Sequence, residues 1–85
     1  MSFRLLYTRS AVHDIKKLDF VAKKKIKKKI ETYSRKPLSY AKKLIDPRIG
    51  TYRWRVGNYR VIFDIDGKNI VILRIGHRRE IYKGG

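Results

Sequence analysis

The sequence predicts an α+β fold of order βααβββ, a small antiparallel sheet packed against an αα-hairpin, with residues 1–85 forming a single domain. Three observations carry this expectation. Apolar residues recur at helical spacing through residues 11–33 and in strand-like runs from residue 51 onward. Turn and breaker residues (Pro37, Pro47, Gly50, Gly57-Asn58, Asp66-Gly67) fall between those segments. A chain of 85 residues can bury one modest core, and no internal repeat divides it.

Phe3-Arg4-Leu5-Leu6-Tyr7 is a short apolar and aromatic run, read as the first strand. Thr8 or Ser10 can cap the helix that follows, in which Ala11, Ile15 and Leu18 stand at i, i+4 and i+7. Asp19 is a second cap, after which Ala22, Ile26, Ile30 and Tyr33 repeat at helical spacing until Pro37 closes the segment. Almost nothing separates the two helices, so they form a hairpin. Residues 37–50 read as irregular. Strands follow at about 51–56, 59–65 and 69–76, the last a nearly continuous apolar run expected of a central strand. Asp66-Gly67 signals a hairpin. Antiparallel pairing across it returns residues 75–78 to the start of the strand at 59–65.

Charge sets the class of partner. The chain carries 23 Lys and Arg against 7 Asp and Glu, a formal +16. Such a field attracts nucleic acid or an anionic membrane. A membrane-surface role needs a broad apolar helix face with Trp or Phe anchors, and the helix at 20–33 offers only a narrow stripe. No apolar run approaches the roughly 20 residues that span a bilayer, and residues 1–8 are too short for a secretory leader. With no cysteine, disulfides are excluded and a reduced, cytoplasmic setting is expected. Two distant histidines and no cysteine leave no zinc site, and no Gly-rich phosphate loop occurs, so neither metal nor cofactor is expected.

The cations divide by type. Residues 1–43 hold eleven lysines and three arginines, whereas residues 44–85 hold seven arginines among nine. Lys23, Lys24, Lys27 and Lys28 crowd the second helix. They suit non-specific steering of RNA, docking of an acidic partner, or a solvated face. The guanidinium fork instead matches phosphate oxygens two at a time.

Tyr52-Arg53-Trp54-Arg55-Val56-Gly57-Asn58-Tyr59-Arg60 is the densest arginine segment. Alternation puts Arg53 and Arg55 on one side of a strand, with Tyr52, Trp54 and Val56 on the other, where Trp54 is core. A two-residue Gly57-Asn58 loop of type II′ sets Arg55 directly opposite Arg60. Like charges at facing positions destabilise a sheet, and an anionic ligand such as a phosphodiester is the simplest reason to tolerate them. The returning strand adds Arg78, with Arg79 as a further RNA contact. His77 and Glu80 are the titrating groups expected near this cluster, Glu80 pairing with Arg78 or Arg79. His13 is read as a surface residue.

Residues 52–63 together with Ile75-Gly76-His77-Arg78-Arg79-Glu80-Ile81-Tyr82 resemble the RelE/ParE superfamily of toxins from toxin–antitoxin pairs. The resemblance implies a metal-independent endoribonuclease that cleaves mRNA in the ribosomal A site. There the substrate 2′-hydroxyl attacks the adjacent phosphorus and expels the 5′-oxygen. By position it implies Arg53 as a backbone contact, Arg55 as the second basic residue of that strand and part of the catalytic set, Arg60 and Arg78 around the phosphorane, and Tyr82 on a base or hydroxyl. It further implies an acidic RelB-like antitoxin, in a heterotetrameric complex. One departure stands out: the position of Arg55 is a lysine, the proposed general base, in the best-known member. Arginine stays protonated, which leaves two readings: a purely electrostatic mechanism, favoured by this permanent cation, with His77 simply ending its strand and hydrogen-bonding backbone, or His77 as the titrating base. The alternatives are a ParE-like toxin acting on DNA gyrase and a basic RNA-binding module without chemistry.

Overall fold

The computed structural model describes residues 3–46 and 48–81. Its elements are β1 (Arg4–Tyr7), α1 (Arg9–Lys17), α2 (Phe20–Tyr33), a 3-10 turn (Pro37–Ser39), β2 (Ala41–Lys43), β3 (Tyr52–Val56), β4 (Tyr59–Asp66), β5 (Asn69–His77) and α3 (Arg78–Ile81). The expected order is present, with two additions at positions read as irregular or as tail: the short strand β2 and the terminal turn of helix α3. The five strands lie in the order β1-β5-β4-β3-β2. The sheet is mixed rather than wholly antiparallel, because β1 pairs with β5 in parallel.

Local chemistry explains each boundary. Thr8 settles the first cap: its Oγ1 accepts from the Ala11 N–H at 3.1 Å and donates to the Leu73 carbonyl at 3.0 Å. One side chain thus starts α1 and fastens it to β5. Asp19 caps α2 by accepting from the Ala22 N–H at 2.7 Å. The apolar stripe Ala22, Ile26 and Ile30 is buried against one sheet face, and every lysine of α2 points to solvent. Trp54 and Phe63 are fully buried there with ring centroids 4.1 Å apart, and the Trp54 indole donates to the Pro37 carbonyl at 2.9 Å. Gly57 has φ +59° and Asn58 has negative φ, the pattern of the expected II′ turn. The second hairpin turns one residue later than its Asp-Gly signal, on Gly67-Lys68, since Asp66 pairs with Asn69.

A β-bulge governs the parity of β5. Ile62 pairs with Arg74 and Phe63 with Ile72, so Leu73 is the extra residue. Ile72 and Ile75, three apart, would face opposite ways in a regular strand. The bulge turns both into the core, where they are 0% and 2% exposed. Arg74 at the bulge reaches Asp14 of α1, with Nε donating at 2.8 Å and Nη2 at 3.3 Å, while the Ile75 N–H donates to the same carboxylate at 2.9 Å. That hydrogen bonding holds the Arg74 guanidinium above its ordinary pKa. Asp14 is buried but Arg74 is half exposed, so a released Arg74 rehydrates and the Ile75 N–H takes the main penalty. Asp14→Ala is therefore expected to cost about 1–3 kcal/mol, read as a lowered denaturation midpoint.

Candidate active site

The face opposite α1 and α2 carries the arginines. Arg55 pairs with Arg60, as expected from the turn, and Arg60 continues to Gly76 on β5. The preceding row is Lys42, Arg53, Ile62 and Arg74. Two like-charge pairs therefore lie side by side, Lys42 facing Arg53 and Arg55 facing Arg60. The second was legible in the sequence. The first was not, because β2 has three residues, too few for a period to show.

Arg60 is the fixed member of the group. It is buried to 8% exposure, and its Nη1 donates to the carbonyls of Gly57 and Tyr59 at 2.9 Å each. This anchors the guanidinium to its own turn. Arg55 is exposed and Arg53 half-buried. Among the described residues, no carboxylate lies within 4.0 Å of a side-chain nitrogen of Lys42, Arg53 or Arg55. Four of the seven acidic residues have other tasks: Asp14 holds Arg74, Asp19 caps α2, Asp46 binds Arg48 at 3.0 Å and Asp64 accepts the Thr51 N–H at 2.7 Å. Lys42, Arg53 and Arg55 are thus left without a carboxylate partner among the described residues. Arg55→Thr removes one repulsive neighbour and is expected to raise stability by a few tenths to about 1 kcal/mol. A thermal melt showing clear destabilisation would reveal a native partner for Arg55.

α3 closes one end of the face. Gly76 has no side chain, and Ile81 packs over it, with its Cβ 3.7 Å from where a Gly76 Cβ would stand. The Arg78 N–H donates to the Asn58 carbonyl at 2.7 Å, which places Arg78 at the hairpin tip beside Arg55 and Arg60. That convergence matches expectation. Lys25 of α2 reaches the same tip, its Nζ 3.4 Å from a Cβ position at Gly57. Sequence reading missed it, since nothing in a run of six near-contiguous lysines marks the one that meets the turn.

His77 is corrected. Simple alternation through Ile70 and Ile72 sends residue 77 to the arginine face. The bulge at Leu73 reverses that parity, so His77 stands on the helix-covered face opposite Tyr59, ring centroids 5.8 Å apart. Its Nδ1 accepts from the Arg79 N–H at 3.2 Å and so steadies the start of α3. Glu80 makes no ion pair with Arg78 or Arg79 among the described residues. It lines a polar cleft with Asp14, Lys17 and His77 on that other face. Lys23, Lys24, Lys27 and Lys28 are exposed on α2, on the helix side of the sheet. His13 is exposed and Trp54 buried, as expected. Tyr82 lies outside the described residues. Among the described residues no three His, Cys, Asp or Glu side chains gather into a group that could hold a metal, and no helix is long and apolar enough to cross a membrane.

Comparison with known proteins places this geometry in a family. Residues 5–82 match the model of the ParE toxin of the type II toxin–antitoxin system parDE. The chain is 34% identical over 83 residues to toxin RelE3 of Methanocaldococcus jannaschii, covering 93% of this chain and 94% of that one. It is 42% identical over 52 residues to toxin RelG of Mycobacterium tuberculosis, covering 59% and 60%. The crystal structure of the toxin–antitoxin complex RelBE2 from M. tuberculosis superimposes with a TM-score of 0.82 at 31% identity, over 92% of this chain and all of the matched one.

Proposed function

Because the chain belongs to the RelE/ParE family of type II toxin–antitoxin toxins, we propose that it is a ribosome-dependent endoribonuclease that cleaves mRNA in the A site. The observation that carries this reading is the arginine face: Arg55 opposite an anchored Arg60, with no carboxylate beside Arg53 or Arg55 among the described residues. In-line attack of a 2′-hydroxyl on the neighbouring phosphorus builds a dianionic phosphorane, forms a cyclic phosphate and releases the 5′-oxygen. Preorganised donors lower that barrier most where the charge develops. Arg60 and Arg55 stabilise the equatorial oxygens, Arg78 approaches from the hairpin tip, and Arg53 holds the backbone upstream or downstream. Tyr82 remains the candidate to stack on a base. Lys23, Lys24, Lys27, Lys28 and Arg79 steer the chain onto ribosomal RNA, a screened and non-specific attraction.

Besides the arginines, the titrating side chains of β3 and β4 on this face are Asp64, whose carboxylate accepts the Thr51 N–H, and Asp66 at the opposite end of β4 from Arg60. The proposed mechanism is therefore electrostatic, with hydroxide or a ribosomal group taking the 2′-hydroxyl proton. His77→Gln is expected to leave the shape of the single-turnover pH–rate profile intact. A limb at the histidine pKa that the substitution abolishes would restore His77 as the base.

The test of the whole reading is primer extension on translated mRNA after induction. New 5′ ends within codons support it. Their absence, together with loss of gyrase supercoiling activity in the presence of the protein, would favour the second reading, a ParE-like gyrase toxin, which the ParE family match keeps in view. Uncompensated positive charge also calls for a partner. The proposed one is an antitoxin, as in the toxin–antitoxin complex RelBE2; we take it to be acidic and RelB-like, laid over the basic surface in a heterotetramer.

A further inference from the structure

Beside Arg53 lies a feature that the proposed chemistry does not use. Leu44, Ile45 and Ile49 line a pocket of about 300 Å³ together with Lys42, Lys43, Arg53 and Asp46, the last of which is paired with Arg48. Ile45 is fully exposed, at 101%. Single exposed apolar residues are ordinary, but this one stands at the mouth of a pocket flanked by a like-charge pair. Lys42 and Arg53 are direct cross-strand neighbours, and Arg53 stands two residues from Arg55 on the same face of β3, with Lys42 on its β2 side and Arg60 across from Arg55 on the β4 side. Two residues of strand advance about 6.8 Å, comparable to the separation of successive phosphates in an extended single strand of RNA.

We propose that this pocket is a nucleotide subsite. Lys42 and Arg53 hold the phosphate adjacent to the one at Arg55 and Arg60, and Leu44, Ile45 and Ile49 receive the base of that nucleotide. The inference rests on the reading of the arginine face as an RNA-cleaving surface. Leu44, Ile45 and Ile49 offer the base apolar surface, and the Asp46 carboxylate is engaged by Arg48, so the base is gripped by its faces rather than read along its edge. The subsite accepts any base, with little sequence preference.

The test uses the full chain and two fluorescent probes, a uridine hexanucleotide and its fully abasic counterpart. Wild type binds the first more tightly. Ile45→Ser weakens binding of the uridine probe about three- to tenfold, the scale of a partly buried aliphatic side chain losing its apolar contact, and leaves the abasic probe unchanged. Lys42→Gln lowers the salt slope of binding by about 0.7 for both probes. Ile45 packs against nothing in the core, and an unaltered thermal melt checks that the variant folds. Equal weakening of both probes, no weakening of either, an unchanged salt slope, or no preference by wild type overturns the subsite. An acidic peptide as the natural occupant would appear as the last of these. Failure of the cleavage reading looks different: the base-dependent binding persists while ribosome-bound mRNA stays intact.

Discussion

Arg60→Ala is expected to lower single-turnover cleavage of ribosome-bound mRNA by two or more orders of magnitude, the scale on which a lost oxyanion donor acts. Ribosome binding should fall far less, because the six lysines between 23 and 29 remain exposed on α2. The expectation rests on how Arg60 is held. Its hydrogen bonds to the Gly57 and Tyr59 carbonyls fix the guanidinium before substrate arrives, so little reorganisation opposes the transition state. Arg78→Ala should act in the same direction, since its backbone is tied to the same turn. Equal losses of binding and cleavage would show that these arginines only position the complex, and unchanged cleavage in both would remove them from the site.

Gly50→Ala should be the most damaging substitution for the fold. Gly50 has φ +155°, a conformation that side chains of L-residues rarely adopt, and a Cβ there would stand 2.5 Å from Ile62 Cγ2 and 2.9 Å from Leu73 Cδ1. Ile62 is fully buried and cannot yield. Overpacking and backbone strain each cost about 1–3 kcal/mol, so a combined loss of about 2–6 kcal/mol is expected. For a domain of this size that lowers Tm by roughly 10–45 °C. The same clash falls beside the segment that carries Ile45 and Ile49, so the proposed RNA binding should be lost over the same lowered temperature range. A melt within a degree or two of wild type would show that the loop simply shifts.

Much of this was written in the chain. The helix pair followed from the spacing of Ala22, Ile26 and Ile30 and from caps at Thr8 and Asp19, because helix periodicity and capping are local. The Arg55–Arg60 pair followed from a two-residue turn, which fixes register without reference to anything distant. These features need only neighbours a few residues apart. The charge imbalance and the arginine face were legible for the same reason.

Three features were decided only by the tertiary structure. β2 is too short to announce itself, and it exists because residues 41–43 pair with the edge of β3; with it came the Lys42–Arg53 pair. Lys25 is one lysine among six until α2 is laid across the sheet and its end meets Gly57. His77 depended on the bulge at Leu73, an extra residue that lets Ile72 and Ile75 share one core and Asp14 grip the strand from α1. Alternation along a strand is a local rule, but where it breaks is chosen by what the whole core can bury. One inserted residue reversed every side chain beyond it, and so took the histidine away from the arginines.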